Sequence, residues 1–72
     1  MNEIQPIIHR GRVAAVVIAG QAIIPDALPE HEQPTVQAMC LYALDVAAGL
    51  LPGPYTDAGA LDYARAAAAQ RT

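Results

Sequence analysis

The first 24 residues of the chain carry the hydrophobic pattern of β-strands. Residues 4–9 alternate between two faces, and Pro6 favours a strand start or a sheet edge for this segment. Residues 9–12 are polar around a central glycine and predict a hairpin turn. Residues 13–18 are rich in apolar, β-branched side chains on both faces, which is typical of a strand that is central or covered on both sides. Residues 22–24 predict a short third strand.

Two other interpretations of residues 13–24 compete with the strands. A helix fits the same apolar run, because short runs match either period. The run is also long enough for the apolar region of a secretory signal with a cleavage site within residues 19–22, although Glu3 and Pro6 do not suit the basic segment that should precede it. It is too short to cross a bilayer, which takes about 20 residues. Under the strand interpretation we expect a cytoplasmic chain whose single thiol stays reduced.

The second half of the chain predicts two helices after a connector. Residues 25–34 hold three prolines, which exclude a helix interior. The first helix is predicted from about Pro34 to Leu51, where the sequence Pro-Gly-Pro at 52–54 ends it. The second is predicted over about 57–70, with Thr56 or Asp57 as its N-terminal cap.

These elements predict an α+β fold for residues 1–72 as a single small domain. A small antiparallel sheet of two or three strands within residues 4–24 is followed by two packed helices at about 34–51 and 57–70. We expect the first helix to cover one face of the sheet. The second helix is mostly alanine, which lets two helices approach closely, so we expect it to pack on the first.

The first predicted helix is apolar around most of its circumference. Its polar positions, Gln37, Asp45 and Gly49, form a strip narrower than a surface helix normally shows. We therefore expect one side to pack on the sheet and another on a neighbouring molecule. The residues expected to form this dimer or packing surface are Val36, Met39, Leu44 and Leu50. The edge of the strand at 13–18 is the alternative route by which two copies could pair.

Length and composition also point to a partner. A chain of 72 residues and 7.5 kDa is small enough to need a disulfide, a metal or a second subunit. A single cysteine excludes an internal disulfide. The net charge of −3 gives no general attraction to nucleic acid or to an anionic membrane, so the expected partner is a second copy, another protein, or both. Arginine without lysine, with frequent Ala, Gly and Pro, indicates a GC-rich bacterial or phage coding sequence.

The sequence offers little for catalysis. It has no Ser or Lys, which removes serine nucleophiles, Schiff-base lysines and lysine-containing phosphate loops. Glu30, His31 and Glu32 could supply metal ligands, but neighbouring side chains of an extended segment point apart, so we interpret them as a solvated loop. Cys40 lies on the most apolar side of the first helix and is interpreted as a core residue. We expect no enzyme activity, no metal and no cofactor.

Four residues are candidates for contact with a partner. Arg10 and Arg12 flank the glycine of the hairpin turn and could bind a carboxylate or a phosphate. Tyr42 borders the apolar side of the first helix, and Asp45 lies on its polar strip. These residues and the apolar helix surface together predict a dimeric, non-enzymatic protein–protein interaction module. Bacterial or phage adaptors and inhibitors that dock on a host protein are of this kind.

The segment from Pro6 to Ile18, PIIHRGRVAAVVI, resembles the β-hairpin of Phd/YefM-type antitoxins, in which a basic turn around glycine precedes a Val/Ala-rich strand. The resemblance covers about a fifth of the chain. The helix that the family places before its hairpin has no counterpart here. The resemblance implies the alternative function, an antitoxin-like or other nucleic-acid-linked regulator that uses Arg10 and Arg12.

Overall fold

The structure is a computed structural model that describes residues 4–70. Its elements are strands β1 (Ile4–His9), β2 (Arg12–Ile18) and β3 (Gln21–Ile23), a 3₁₀ turn (Glu30–Glu32), and helices α1 (Gln33–Ala47) and α2 (Asp57–Ala69). The strands form one antiparallel sheet in the order β1-β2-β3, and the two helices follow it. The predicted α+β fold is confirmed.

Both hairpins of the sheet turn through two residues with positive φ. Arg10 and Gly11 have φ values of 58° and 78°, and Ala19 and Gly20 have values of 51° and 78°. Two such residues in a row make the type I′ turn, whose twist matches that of antiparallel strands. β2 is therefore the central strand, although β3 pairs only with its residues 16–18. The edge of residues 13–18, which the sequence suggested as a route for pairing two copies, is thus partly occupied within the chain.

The β1–β2 ladder contains a bulge. Ile7 pairs with Ala15 but Ile8 pairs with Val13, so Ala14 is an extra residue in β2. A bulge changes the direction in which the following side chains point. As a result, His9 and Arg12 are paired and lie on the same face of the sheet as Ile7.

Helix α1 covers that face, which we call the inner face. Ile7 of β1 and Val36, Met39 and Cys40 of α1 are the largest side chains that are fully buried. The core is completed by smaller or less completely buried residues, which are Ala14, Ala15, Val17, Leu28, Ala38, Ala43, Ala60 and Ala64. The alternation of residues 4–9 thus places Ile7 in the core while its neighbours Pro6 and Ile8 point away.

Helix α1 ends four residues before the predicted position. Gly49 has a φ of 79°, and its N–H donates to the carbonyl of Val46, while the N–H of Leu50 donates to the carbonyl of Asp45. This pair of bonds is the Schellman motif, in which glycine in the left-handed region closes a helix. Gly49 is therefore the stop signal, three residues before the Pro-Gly-Pro sequence that was assigned that role.

Helix α2 matches its predicted range and its predicted cap. The Thr56 hydroxyl accepts a hydrogen bond from the Gly59 N–H at 3.0 Å, which confirms Thr56 as the N-cap. Ala60 and Ala64 are buried against α1, so small side chains do allow the two helices to approach closely. Between residues 4 and 70 no helix has the length and apolar character that crossing a membrane requires.

Candidate interaction surface

The second face of the sheet, which we call the outer face, is almost entirely apolar. Its side chains share a face because they alternate with the inner residues and are paired with one another across the strands. They are Ile4, Pro6 and Ile8 of β1, Val13, Val16 and Ile18 of β2, and Gln21 and Ile23 of β3. None of the eight carries a charge.

The outer face is open to solvent. Ile4 is 64% exposed at one end of the sheet, Val13 is 57% exposed at the other end, and Ile23 is 53% exposed on the β3 side. Ile8, Val16 and Ile18 are half-buried between these neighbours. Helix α1 packs on the inner face and α2 packs on α1, so neither helix lies over the outer face. An apolar sheet face that is exposed in this way lacks the second layer of structure that normally covers it.

The edges of the sheet are less available than its face. The Ile8 N–H points out of the β1 edge and donates to Asp57 Oδ1 at 3.4 Å. Alternate residues of a strand point the same way, so the N–H at position 6 would also point outwards, but proline has none. The opposite edge strand, β3, has only three residues. Short edge strands and proline are devices that discourage another strand from pairing.

A buried carboxylate joins the β1–β2 hairpin to the start of α1. The Glu32 side chain accepts hydrogen bonds from His9 Nδ1 at 2.9 Å and from an Arg12 guanidinium nitrogen at 2.7 Å, one on each oxygen. Glu32 is 4% exposed. Burial by itself would raise the pKa of this carboxyl, but the hydrogen bond from His9 and the positive charge of Arg12 outweigh it, so the pKa is lowered.

The interpretation of residues 30–32 as a solvated loop is wrong for Glu32, which is buried. Those residues form a 3₁₀ turn, and only Glu30 and His31 are exposed. The missed signal was the pairing of His9 with Arg12, which requires the bulge at Ala14 and is invisible in a simple alternation pattern. No group of three or more His, Cys, Asp or Glu side chains that could hold a metal ion occurs in the described part of the chain.

The four predicted contact residues lie in two separate places. Arg10 is exposed at the tip of the first turn, whereas Arg12 is bound to Glu32. Tyr42 is half-buried, with its ring centre 5.9 Å from that of Tyr55 and 5.5 Å from that of Tyr63. Asp45 is half-buried on the next turn of α1. Since a helix rises about 1.5 Å per residue, Glu32, which holds Arg12, is about 15 Å along α1 from Tyr42 and about 20 Å from Asp45.

The predicted packing surface of the first helix is divided by the structure. Val36 and Met39 lie in the core, 0% and 1% exposed, so they pack within the chain and are not available to a partner. Leu44 packs partly against the core, and Leu50 lies beyond the helix end with 74% of its surface exposed. Leu41, which is 54% exposed, is the large apolar side chain that α1 itself presents to solvent.

Other possible sites contain little reactive chemistry. Cys40 is buried, as predicted, and burial raises the pKa of its thiol, which disfavours the nucleophilic thiolate. An open groove of about 780 Å³ lies between the second half of α1 and the β2–β3 turn, with Gln5, Leu44 and Tyr55 in its lining. Burial and a hydrogen bond to Asp57 both raise the pKa of Tyr55, so its phenol stays neutral. The groove thus has no acid, base or nucleophile that works near neutral pH.

Comparison of the chain with protein-family models, with curated proteins and with solved structures gives no match. The surfaces of the molecule itself are therefore the guide to its function. Among them the outer face combines the largest number of exposed branched side chains with the absence of charge.

Proposed function

We propose that this chain is a non-enzymatic protein–protein interaction module that docks through the outer face of its sheet. The observation that carries the proposal is that one face of the sheet is apolar, uncharged and open while two helices lie on the other side. Contiguous apolar patches of some hundreds of Å² on a small protein mark interaction sites. A single reduced, buried cysteine suits a cytoplasmic location.

The size of the outer face supports this role. The three strands have 6, 7 and 3 residues of about 3.3 Å each and lie about 4.8 Å apart, giving a flat footprint of about 250 Å². The described chain exposes 4900 Å², and a typical interface covers about a tenth of a small protein's surface. The footprint is a lower bound because side chains rise above the plane. The flat footprint is about half of that tenth, so the face is large enough to form a substantial part of an interface.

The placement of the reactive groups supports a non-enzymatic role. Both oxygens of Glu32 are bonded within the chain, and the thiol of Cys40 is buried. The alternative of a nucleic-acid regulator draws less support, because the guanidinium of Arg12, one of the two arginines that it needs, is held by Glu32.

Site-specific photocrosslinking in the cells that carry the gene tests the proposal. A photoreactive amino acid is placed at Ile23 of β3 or at Leu41 of α1, which are equally apolar and equally exposed, at 53% and 54%. We expect covalent adducts, with a copy of the chain or with another protein, from position 23 and not from position 41. Equal yields from both positions, or adducts from position 41 alone, would show that the outer face is not the docking surface.

A further inference from the structure

We propose that the outer face binds a second copy of this chain, with the two sheets packed face to face around a two-fold axis. This inference rests on the proposed function and names the partner of the same surface. The sequence alone predicted pairing through the first helix or through a strand edge, and the structure leads to a different surface.

The charge pattern favours a second copy over a foreign partner. In a two-fold interface the same patch occurs on both sides, so a charged residue near the axis meets its own like charge or is buried without a partner. The chain has seven acidic and four basic residues, and none of the eight side chains of the outer face is among them. Within residues 4–70, every acid or base that could select a partner of opposite charge lies off the outer face. The outer face is self-complementary in this respect.

The shape of the sheet favours contact between faces. Both routes to a continuous intermolecular sheet are obstructed, at β1 by Pro6 and by the Asp57 bond to Ile8, and at β3 by its length of three residues. Two sheets can instead pack about 10 Å apart, their side chains interdigitating and their strands nearly aligned. Isoleucine and valine make up six of the eight outer side chains, and such branched side chains fill this kind of layer well.

The area sets the expected strength. Two footprints of about 250 Å² give a floor of about 500 Å² for the buried surface, whereas specific stable complexes bury about 1,200–2,000 Å². Side chains that rise above the plane add to this floor, and the dimer should lie at or below the low end of specific interfaces. We expect a monomer–dimer equilibrium in the micromolar range that responds to concentration, rather than a permanent dimer.

The test is sedimentation velocity of the purified full chain across the micromolar to millimolar range. We expect the sedimentation coefficient to rise from that of a monomer to that of a dimer. Ile23→Lys should raise the dissociation constant by at least about tenfold, because two ammonium groups would be brought into an apolar contact. Leu41→Lys, at a position of equal exposure on α1, should leave it unchanged. Circular dichroism establishes that both variants are folded.

Two further measurements keep the proposal falsifiable if Ile23→Lys does not fold. Ile23→Thr retains a β-branched side chain and should also weaken the dimer. The photoreactive residue at position 23 in the purified chain should give an adduct of twice the chain mass. A dimer that Leu41→Lys weakens and the Ile23 variants do not would place the interface on α1 and overturn the inference.

The outcomes separate this inference from the proposed function. If the purified chain is monomeric at every concentration while position 23 crosslinks to a different protein in cells, the second copy is excluded and the interaction module remains. If position 23 gives no adduct in cells and the purified chain is monomeric, both proposals fail.

Discussion

Replacing Gly59 with alanine should destabilise the protein, although alanine is the better helix former. In a helix interior the replacement is worth about 0.8–1.0 kcal/mol in favour of alanine. At this position, however, a new Cβ would lie 2.9 Å from the Thr56 hydroxyl oxygen and 2.9 Å from the Tyr42 hydroxyl oxygen. Real Cβ atoms essentially never approach other atoms that closely, so both groups must move.

The two groups that must move each make a contact whose loss costs stability. Displacing the Thr56 hydroxyl weakens the cap of α2, which is worth about 1 kcal/mol. Displacing Tyr42 disturbs its ring contacts with Tyr55 and Tyr63, which are worth about 0.5–1.5 kcal/mol beyond their buried area. The losses exceed the gain, and we expect a net cost of about 1 kcal/mol. For a domain of this size that lowers the melting temperature by about 4–8 °C.

Thermal unfolding of a double-mutant cycle with Tyr42→Phe is the assay. Without the hydroxyl, the nearest remaining atom of residue 42 is a ring carbon 3.5 Å from the new Cβ, an ordinary contact. In the Tyr42→Phe background only the cap loss of about 1 kcal/mol remains, and the gain in helix propensity offsets it, so the cost of Gly59→Ala should fall to near zero. Ala66→Gly, at an exposed position of α2, is the control for helix propensity and should cost about 1 kcal/mol.

A rise in melting temperature for Gly59→Ala, or an equal fall in both backgrounds, would refute the reasoning. It would mean that the Tyr42 hydroxyl does not rest against α2. That outcome would restore Tyr42 as a residue whose polar end is free to contact a partner. The expected outcome instead makes Tyr42 a packing residue between the two helices.

Three other predictions follow from the core and from the Glu32 cluster. Because the pKa of Glu32 is lowered from 4.5, its stabilising effect is complete above that value and is lost as the pH falls through the folded-state pKa, so the urea midpoint should drop on acidification below pH 4.5. Glu32→Gln should reduce that drop, and an unchanged drop would contradict the prediction. Met39→Ala should cost about 2–5 kcal/mol in urea unfolding, since the side chain is 1% exposed; a cost under about 1 kcal/mol would place Met39 outside the core. Cys40 should react with iodoacetamide at least about a hundredfold more slowly in the folded chain than in denaturant, and similar rates would show that its thiol is accessible.

The sequence was a good guide to the elements because their signals are local. Glycine in the hairpin turn, the proline-rich connector and the threonine cap each act within a few residues, and the structure contains all three features. The end of α1 was misplaced because two stop signals stand close together, Gly49 and the Pro-Gly-Pro sequence. The chain uses the first, since a left-handed glycine satisfies the last carbonyl groups at once.

The surfaces were harder to predict because they depend on how elements meet. The sequence indicated that α1 has more apolar surface than the chain can cover. Val36 and Met39, however, are part of that surface and are buried against the inner face of the sheet. The apolar pattern on both faces of residues 13–18 did indicate that the strand needs two covering layers. The chain supplies one of them. Which face stays open depends on the position of α1, and no local pattern contains that information.

The bulge at Ala14 connects the buried cluster with the open face. Beyond the bulge, Arg12 is paired with His9 on the inner face and Val13 with Ile8 on the outer face. If the register of the rest of the ladder continued without the bulge, Arg12 would be opposite Arg10, leaving a single residue for the turn, and Val13 would be opposite His9. Since neighbouring residues point to opposite faces, that register would direct Arg12 outwards and Val13 inwards. A charge would then stand on the outer face and Glu32 would lose its guanidinium partner. One inserted residue therefore both keeps the positive charge on the side of α1 and keeps the other side of the sheet apolar, which is the condition that face-to-face packing of two copies requires.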